Sequence, residues 1–219
     1  GKLKRPANLI VKGLPKGYTT SSLKLRAGRR WDVSITSAKG AEVKRFPIEV
    51  KMEYPGPDGR EQADVLPVDK MLQAFYYEHH IPAAELALDV IEASPYRMSV
   101  DFNIDNPLTF KFTDEAIPVK ILVDKDPGFN DPIELLLGRK NAIFSLEPIS
   151  ILPEEKEKTI YIKLNPTALE RLKKRKAKPY WQMYIVGTVK GEIVRQARRT
   201  FQNAKYSEMT PIFMIHLDR

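Results

Sequence analysis

The segment Trp181–Phe201, WQMYIVGTVKGEIVRQARRTF, limits what this chain can fold into more than any other part of it. Trp181, Met183, Ile185 and Val189 stand at alternate positions with Gly187 among them, and Tyr184, Val186 and Thr188 fill the opposite face. Aromatic and β-branched residues packed this densely predict a strand covered on both faces, which places it inside a layered sheet structure. Gly191 can adopt the positive φ of a tight turn, so a hairpin is expected to turn at Lys190-Gly191. The returning arm, Glu192–Phe201, mixes Arg195, Arg198 and Arg199 with Ile193, Val194, Ala197 and Phe201, a pattern that suits a rim strand.

The rest of the chain follows the same grammar. Alternating or apolar runs at Asn8–Lys12, Ser22–Arg26, Trp31–Thr36 and Phe46–Tyr54 are separated by Gly- and Pro-rich turns, and Pro55-Gly56-Pro57-Asp58-Gly59 joins Phe46–Tyr54 to Arg60–Val68 as a second hairpin. Asp69–His80 carries aromatics without a clean period and reads as a helical turn or a packed connection. Glu85–Ile91 reads as a closing strand, and Ser94-Pro95 as a boundary. A second series then runs through Tyr96–Asn103, Leu108–Phe112, Ile117–Asp124, Pro132–Leu137, Ile149–Leu152 and Thr159–Leu164, and closes with Pro211–Leu217. Between them Asn165–Lys178 has a cap residue, a proline suited to the first helical turn and apolar Ala168, Leu169 and Leu172, which predicts a short helix.

The two series match by pattern. NLIVKGLPKG falls against PIELLLGRKN, SLKL against ISIL and WDVSIT against KTIYIKL, about 125 residues apart, a spacing that signals duplication of a domain rather than a solenoid. The second series has strands over residues 96–124 that the first lacks. Short strands with a turn about every ten residues and no βα alternation predict an all-β protein of two tandem Ig-like antiparallel β-sandwiches, residues 1–93 and 94–219. The first is expected to lack its opening strands, and the chain to be a C-terminal piece of something larger.

The order GLPKG, strand, turn and WDVSIT resembles the Ig-like domains near the C-terminus of large exported bacterial proteins that often carry pre-peptidase C-terminal-type domains. KILVDKDPGFNDPIELLL is similar to the start of such a domain, and DKMLQAFYYEHHIPAAELALDV to the segment linking two of them. The resemblance implies an extracytoplasmic location and no catalytic residues.

Composition fits a folded core, with 42% hydrophobic residues among 219. The absence of cysteine removes disulfides and thiolate metal sites. The formal charge of +8 permits anionic partners, but a large share of the excess sits in one segment. There Arg171, Lys173, Lys174, Arg175, Lys176 and Lys178 form the candidate anion-binding patch, for an acidic glycan before nucleic acid. The plain alternative is a solvated helix face. No RNP-type aromatic motif, helix-turn-helix or finger spacing supports nucleic-acid reading.

Other chemistry is weaker. His79-His80 with Glu78 could ligate a metal, yet His216 lies far off in the other series and no HExxH spacing exists. Asp124, Asp126, Asn130 and Asp131 surround Gly128, and oxygen ligands at such spacing can hold calcium; the run lacks the order and distal glutamate of an EF-hand, and Asx and Pro-Gly turn chemistry is the plainer alternative. Trp31, Trp181, Tyr161, Tyr180 and Tyr184 suit a core better than a sugar-stacking platform. No metal or cofactor is expected, nor catalysis. The expected role is a spacer or scaffold whose partners are other domains of the same parent protein and a cell-envelope protein or glycan. The tail of a larger hydrolase is a further alternative.

Overall fold

The computed structural model describes residues 6–21, 24–25, 31–38, 40–72, 78–90, 94–103, 105–138, 142–174, 180–190 and 204–218. The fold is all-β, with one short helix among the described residues. The chain divides into two compact units, Gly1–Ala93 and Ser94–Arg219.

The first unit contains β1 (Ala7–Lys12), β2 (Thr19–Thr20), β3 (Lys24–Leu25), β4 (Ile35–Thr36), β5 (Arg45–Pro47), β6 (Glu49–Gly56), β7 (Gly59–Asp64), β8 (Val68–Leu72), β9 (Glu78–Pro82) and β10 (Ala87–Asp89). Its main sheet runs β3-β1-β6-β7, all neighbours antiparallel. The β6–β7 hairpin turns through Pro57-Asp58, with Gly56 opposite Gly59. Leu9 lies opposite Met52 and Val11 opposite Val50, so period-two alternation collects Ala7, Leu9, Val11, Val50, Met52 and Tyr54 on one face. Separate two-stranded pairs are β2–β4 and β5–β10. Of Asp69–His80, expected as a helical turn or a packed connection, the described ends are strands, and residues 73–77 lie outside the described residues. Its two ends belong to β8 and β9, an antiparallel hairpin with Val68 opposite Pro82 and Leu72 opposite Glu78; without a helical apolar stripe, strand pairing is what satisfies the backbone there.

The second unit contains β11 (Tyr96–Ser99), β12 (Leu108–Lys111), β13 (Ala116–Lys125), β14 (Ile133–Leu137), β15 (Phe144–Ser145), β16 (Ile149–Ile151), β17 (Glu157–Leu164), α1 (Pro166–Lys174), β18 (Tyr180–Met183), β19 (Ile185–Lys190), β20 (Ala204–Met209) and β21 (Phe213–Asp218). Three sheets run β11-β13-β17-β15, β12-β21-β18 and β16-β14-β19-β20. The β12–β21 pairing is parallel and the others are antiparallel. The burial of β13 alternates cleanly, with Ile117, Val119, Ile121 and Val123 inside and Pro118 and Lys120 outside. β17 answers with Ile160, Ile162 and Leu164. Together with Tyr96, Phe110, Ile133, Leu135, Met183, Ile185, Phe213 and Ile215 these form one continuous core. Each such side chain contributes about 1.5–3 kcal/mol by leaving water, before entropy is subtracted.

β19 is buried on both faces, as its composition predicts, and lies between β14 and β20. The strand returning beside it is Ala204–Met209, with Lys190 opposite Ala204. Both sides of β19 are thus taken, by β14 and by Ala204–Met209, so the strand beside it is not the expected arm Glu192–Phe201. Glu192–Phe201 lies outside the described residues. In that place Tyr206 of Ala204–Met209 packs against the core, and a local turn signal does not fix which later strand a sheet takes up.

Candidate functional site

The basic segment begins as expected. Asn165 caps α1, its side-chain Oδ1 accepting the Ala168 N–H at 3.2 Å. Leu169 is buried, and Ala168 and Leu172 pack partly against the core, so the helix is anchored along one side. That leaves Arg171 and Lys173 exposed on the other. Lys173 is already engaged. Its Nζ pairs with Glu170 at 2.5 Å and sits 5.3 Å from the centre of the Phe112 ring. Lys174 ends the helix, and Arg175, Lys176 and Lys178 lie outside the described residues. The six basic residues are thus not brought together as a set among the described residues.

The acidic turn is organised by backbone. The Phe129 N–H donates to the Asp126 carbonyl at 3.1 Å, the Asp126 N–H donates to the Pro95 carbonyl at 2.8 Å, and Gly128 takes φ +86°. Among the described residues no group of three or more His, Asp or Glu stands in a metal-binding arrangement. His79 and His80 belong to β9 of the first unit, whereas His216 belongs to β21 of the second, where its ring stacks on Tyr180 at 4.5 Å.

The aromatic residues separate by environment. Trp181 packs against Phe110 and Phe144, with centroids at 6.0 and 5.4 Å, and is part of the core margin. Tyr161 is exposed on β17, and Tyr184 lies against Gly138, where a β-carbon would meet its ring.

Two features escape a reading of the sequence. Lys125, at the end of β13, donates its Nζ to the carbonyls of Leu152, Pro153 and Glu155 at 2.6, 2.8 and 2.8 Å. One ammonium thereby satisfies the turn between β16 and β17; burial lowers its pKa, and Glu154 and Glu155 pull it back up. The second is Glu208. It lies opposite Gly187 in the β19–β20 ladder, and the carbonyl of Gly187 accepts the buried Tyr96 hydroxyl at 2.8 Å. Burial pushes the Glu208 carboxyl up to about 7, against the opposing charge of Arg97. Tyr96 is raised well above its ordinary range, first by burial and then by Glu208. A lone glutamate in an alternating strand cannot be assigned a face until the register is known.

No family model matches this chain, and no curated protein matches it either. Among solved structures it is similar to one from a 1.5-MDa bacterial ice-binding adhesin, described for that adhesin's retention at the host cell surface, with 10% identity and a TM-score of 0.26. The match covers 97% of this chain and 52% of that one, so the chain spans about half the length of that structure. A superposition this loose carries no argument about what this chain does. No helix among the described residues is long and apolar enough to cross a membrane.

Proposed function

We propose that the chain is a non-catalytic structural module, a tandem of Ig-like sandwiches that spaces or positions other domains of an exported or cell-surface bacterial protein. The observation that carries this reading is the parallel pairing of β12 with β21, from Leu108 opposite Ile215 to Lys111 opposite Asp218. β12 lies early in the second unit and β21 closes it. Pulling the chain ends apart loads that ladder in shear, so its hydrogen bonds resist together instead of peeling singly. Such a ladder suits a module under tension. The extracytoplasmic location rests on the resemblance of GLPKG, WDVSIT and KILVDKDPGFNDPIELLL to Ig-like domains of large exported proteins.

The test is single-molecule extension of the full chain. The second unit is expected to unfold in one step at a force that Thr109→Pro lowers clearly, because proline removes a donor and distorts β12. Equal unfolding forces for the two chains would overturn the role under tension. An accessory domain binding an acidic polymer through 165–178 is the rival reading. It requires salt-dependent heparin binding that is lost when Lys173, Lys174, Arg175 and Lys176 are neutralised. The engagement of Lys173 with Glu170 and Phe112 speaks against it.

A further inference from the structure

Two sheets of the second unit meet at Gly187. β11 stands at the margin of the sheet β11-β13-β17-β15 and β20 at the margin of β16-β14-β19-β20, and the two strands come side by side. Two side chains of β11 reach across. The Tyr96 hydroxyl donates to the Gly187 carbonyl at 2.8 Å, and the Glu208 backbone hydrogen-bonds the same hydroxyl. Met98 lies over Gly187 itself: a β-carbon there would come within 2.8 Å of both its Sδ and its Cε. The missing side chain at 187 is what lets β11 close on the β19–β20 ladder. The turn after β13 is tied to the same seam, because Phe129 stacks on the Tyr96 ring at 5.4 Å and the Asp126 N–H donates to the Pro95 carbonyl at 2.8 Å.

Glu208 is the residue opposite Gly187. Cross-strand partners share a face, so the half-buried Glu208 side chain belongs to this seam, on the side where Ile185 and Val189 enter the core. Charged and titratable groups approach it from several strands. β11 brings Tyr96 and Arg97, and β13 behind it brings Asp124 opposite Arg97 and Lys125 opposite Tyr96. Lys125 is held by the carbonyls of Leu152, Pro153 and Glu155, and Lys190 of β19 is held by Glu134 of β14 at 2.8 Å. Arg97 is the cation whose charge acts on Glu208; burial outweighs it and pushes the carboxyl up to about 7. The seam therefore closes around a neutral carboxyl. Once ionised, the same group has to regain water, which it reaches by parting β20 from β11.

We infer that the β11–β20 seam is a proton-operated latch: with Glu208 protonated, Tyr96 and Met98 stay closed on Gly187, and with Glu208 ionised the seam opens and loosens the turn Asp126–Phe129, while β13 and β17 hold the rest of the unit together. The β13–β17 ladder can do so because it runs unbroken from Ala116↔Lys163 to Leu122↔Glu157 over fully buried Val119, Ile121, Ile160 and Ile162. The latch sets how firmly one side of the second unit is closed, and it is independent of the role under tension proposed above.

The test is residue-resolved amide hydrogen exchange on the full chain at pH 5.5 and pH 8.5, expressed as protection factors so that the intrinsic pH dependence of exchange drops out. The Glu208 and Asp126 amides are expected to lose roughly ten-fold or more of their protection at the higher pH, with β13 and β17 unchanged. Glu208→Gln, which keeps the shape and cannot ionise, is expected to hold the protection of pH 5.5 at both values. Arg97→Gln removes the opposing charge and is expected to move the midpoint of the loss to higher pH. Equal protection of the Glu208 amide at the two pH values would overturn the latch, as would a loss that persists in Glu208→Gln. Loss of protection in β13 and β17 in step with Glu208 would overturn it too, because the whole unit would then be opening rather than one seam.

Discussion

Glu208 sits where its charge is costly. A folded-state pKa of about 7, above the ordinary 4.5, means that the native state binds a proton the unfolded chain has already released. The stabilisation is complete below the unfolded value and is lost as pH rises through about 7. Urea denaturation is expected to give a second unit up to about 3 kcal/mol more stable at pH 5 than at pH 8, at ~1.4 kcal/mol for each tenfold gain in proton affinity on folding. Glu208→Gln should flatten that difference, and an unchanged pH slope would exclude Glu208 as its source. Lys125→Met is expected to cost about 1–3 kcal/mol, because the carbonyls of Leu152, Pro153 and Glu155 lose a charged donor. Tyr18 presents the opposite case. Its hydroxyl is buried without a hydrogen-bond partner while its ring packs edge-on against Phe46. Tyr18→Phe is expected to leave thermal stability unchanged or slightly raised.

At the scale of elements, α1 and the strand interruption near Tyr184 show what holds the second unit's sheets in place. Leu169→Ala removes a buried anchor and is expected to cost about 2–3 kcal/mol in chemical denaturation. Beside the interruption, Thr210 accepts the Ile185 N–H at its hydroxyl, 3.0 Å away, and donates its own N–H to the Ile185 carbonyl at 2.9 Å. Thr210→Val keeps the shape and leaves a buried N–H unpaired, for an expected loss of about 1–3 kcal/mol. β13, β17, β19 and α1 are legible in the sequence because each carries its own period or cap. The pairing of β8 with β9 is not, because Asp69–His80 follows neither a helical nor a strand period in sequence. The partner of β19 is missed for a related reason: Gly191 permits a tight turn, but permission is local and does not fix which later strand the sheet takes up.

At the scale of the whole molecule, the two units differ in how far their apolar faces are closed. The second buries a continuous core, while the first leaves Leu9, Val11, Val50 and Met52 only partly buried. Calorimetry of the full chain is accordingly expected to show two transitions, with the first unit melting well before the second. Hydrogen exchange should assign the early transition to β1 and β6. A single cooperative transition protecting both units equally would contradict the difference in burial.

The sequence by itself determined the all-β class and the inward faces of the strong strands, because alternation and turn chemistry act over a few residues. The capped helix ahead of the basic run was set at the same range. Tertiary structure alone decided the rest: which strand pairs with β19, that Lys173 is held by Glu170 and Phe112, that Lys125 seals a turn about thirty residues away, and that Glu208 is half-buried. Those outcomes depend on register between strands distant in sequence. A one-residue slip in register sends every side chain to the other face, and nothing in a short window fixes it.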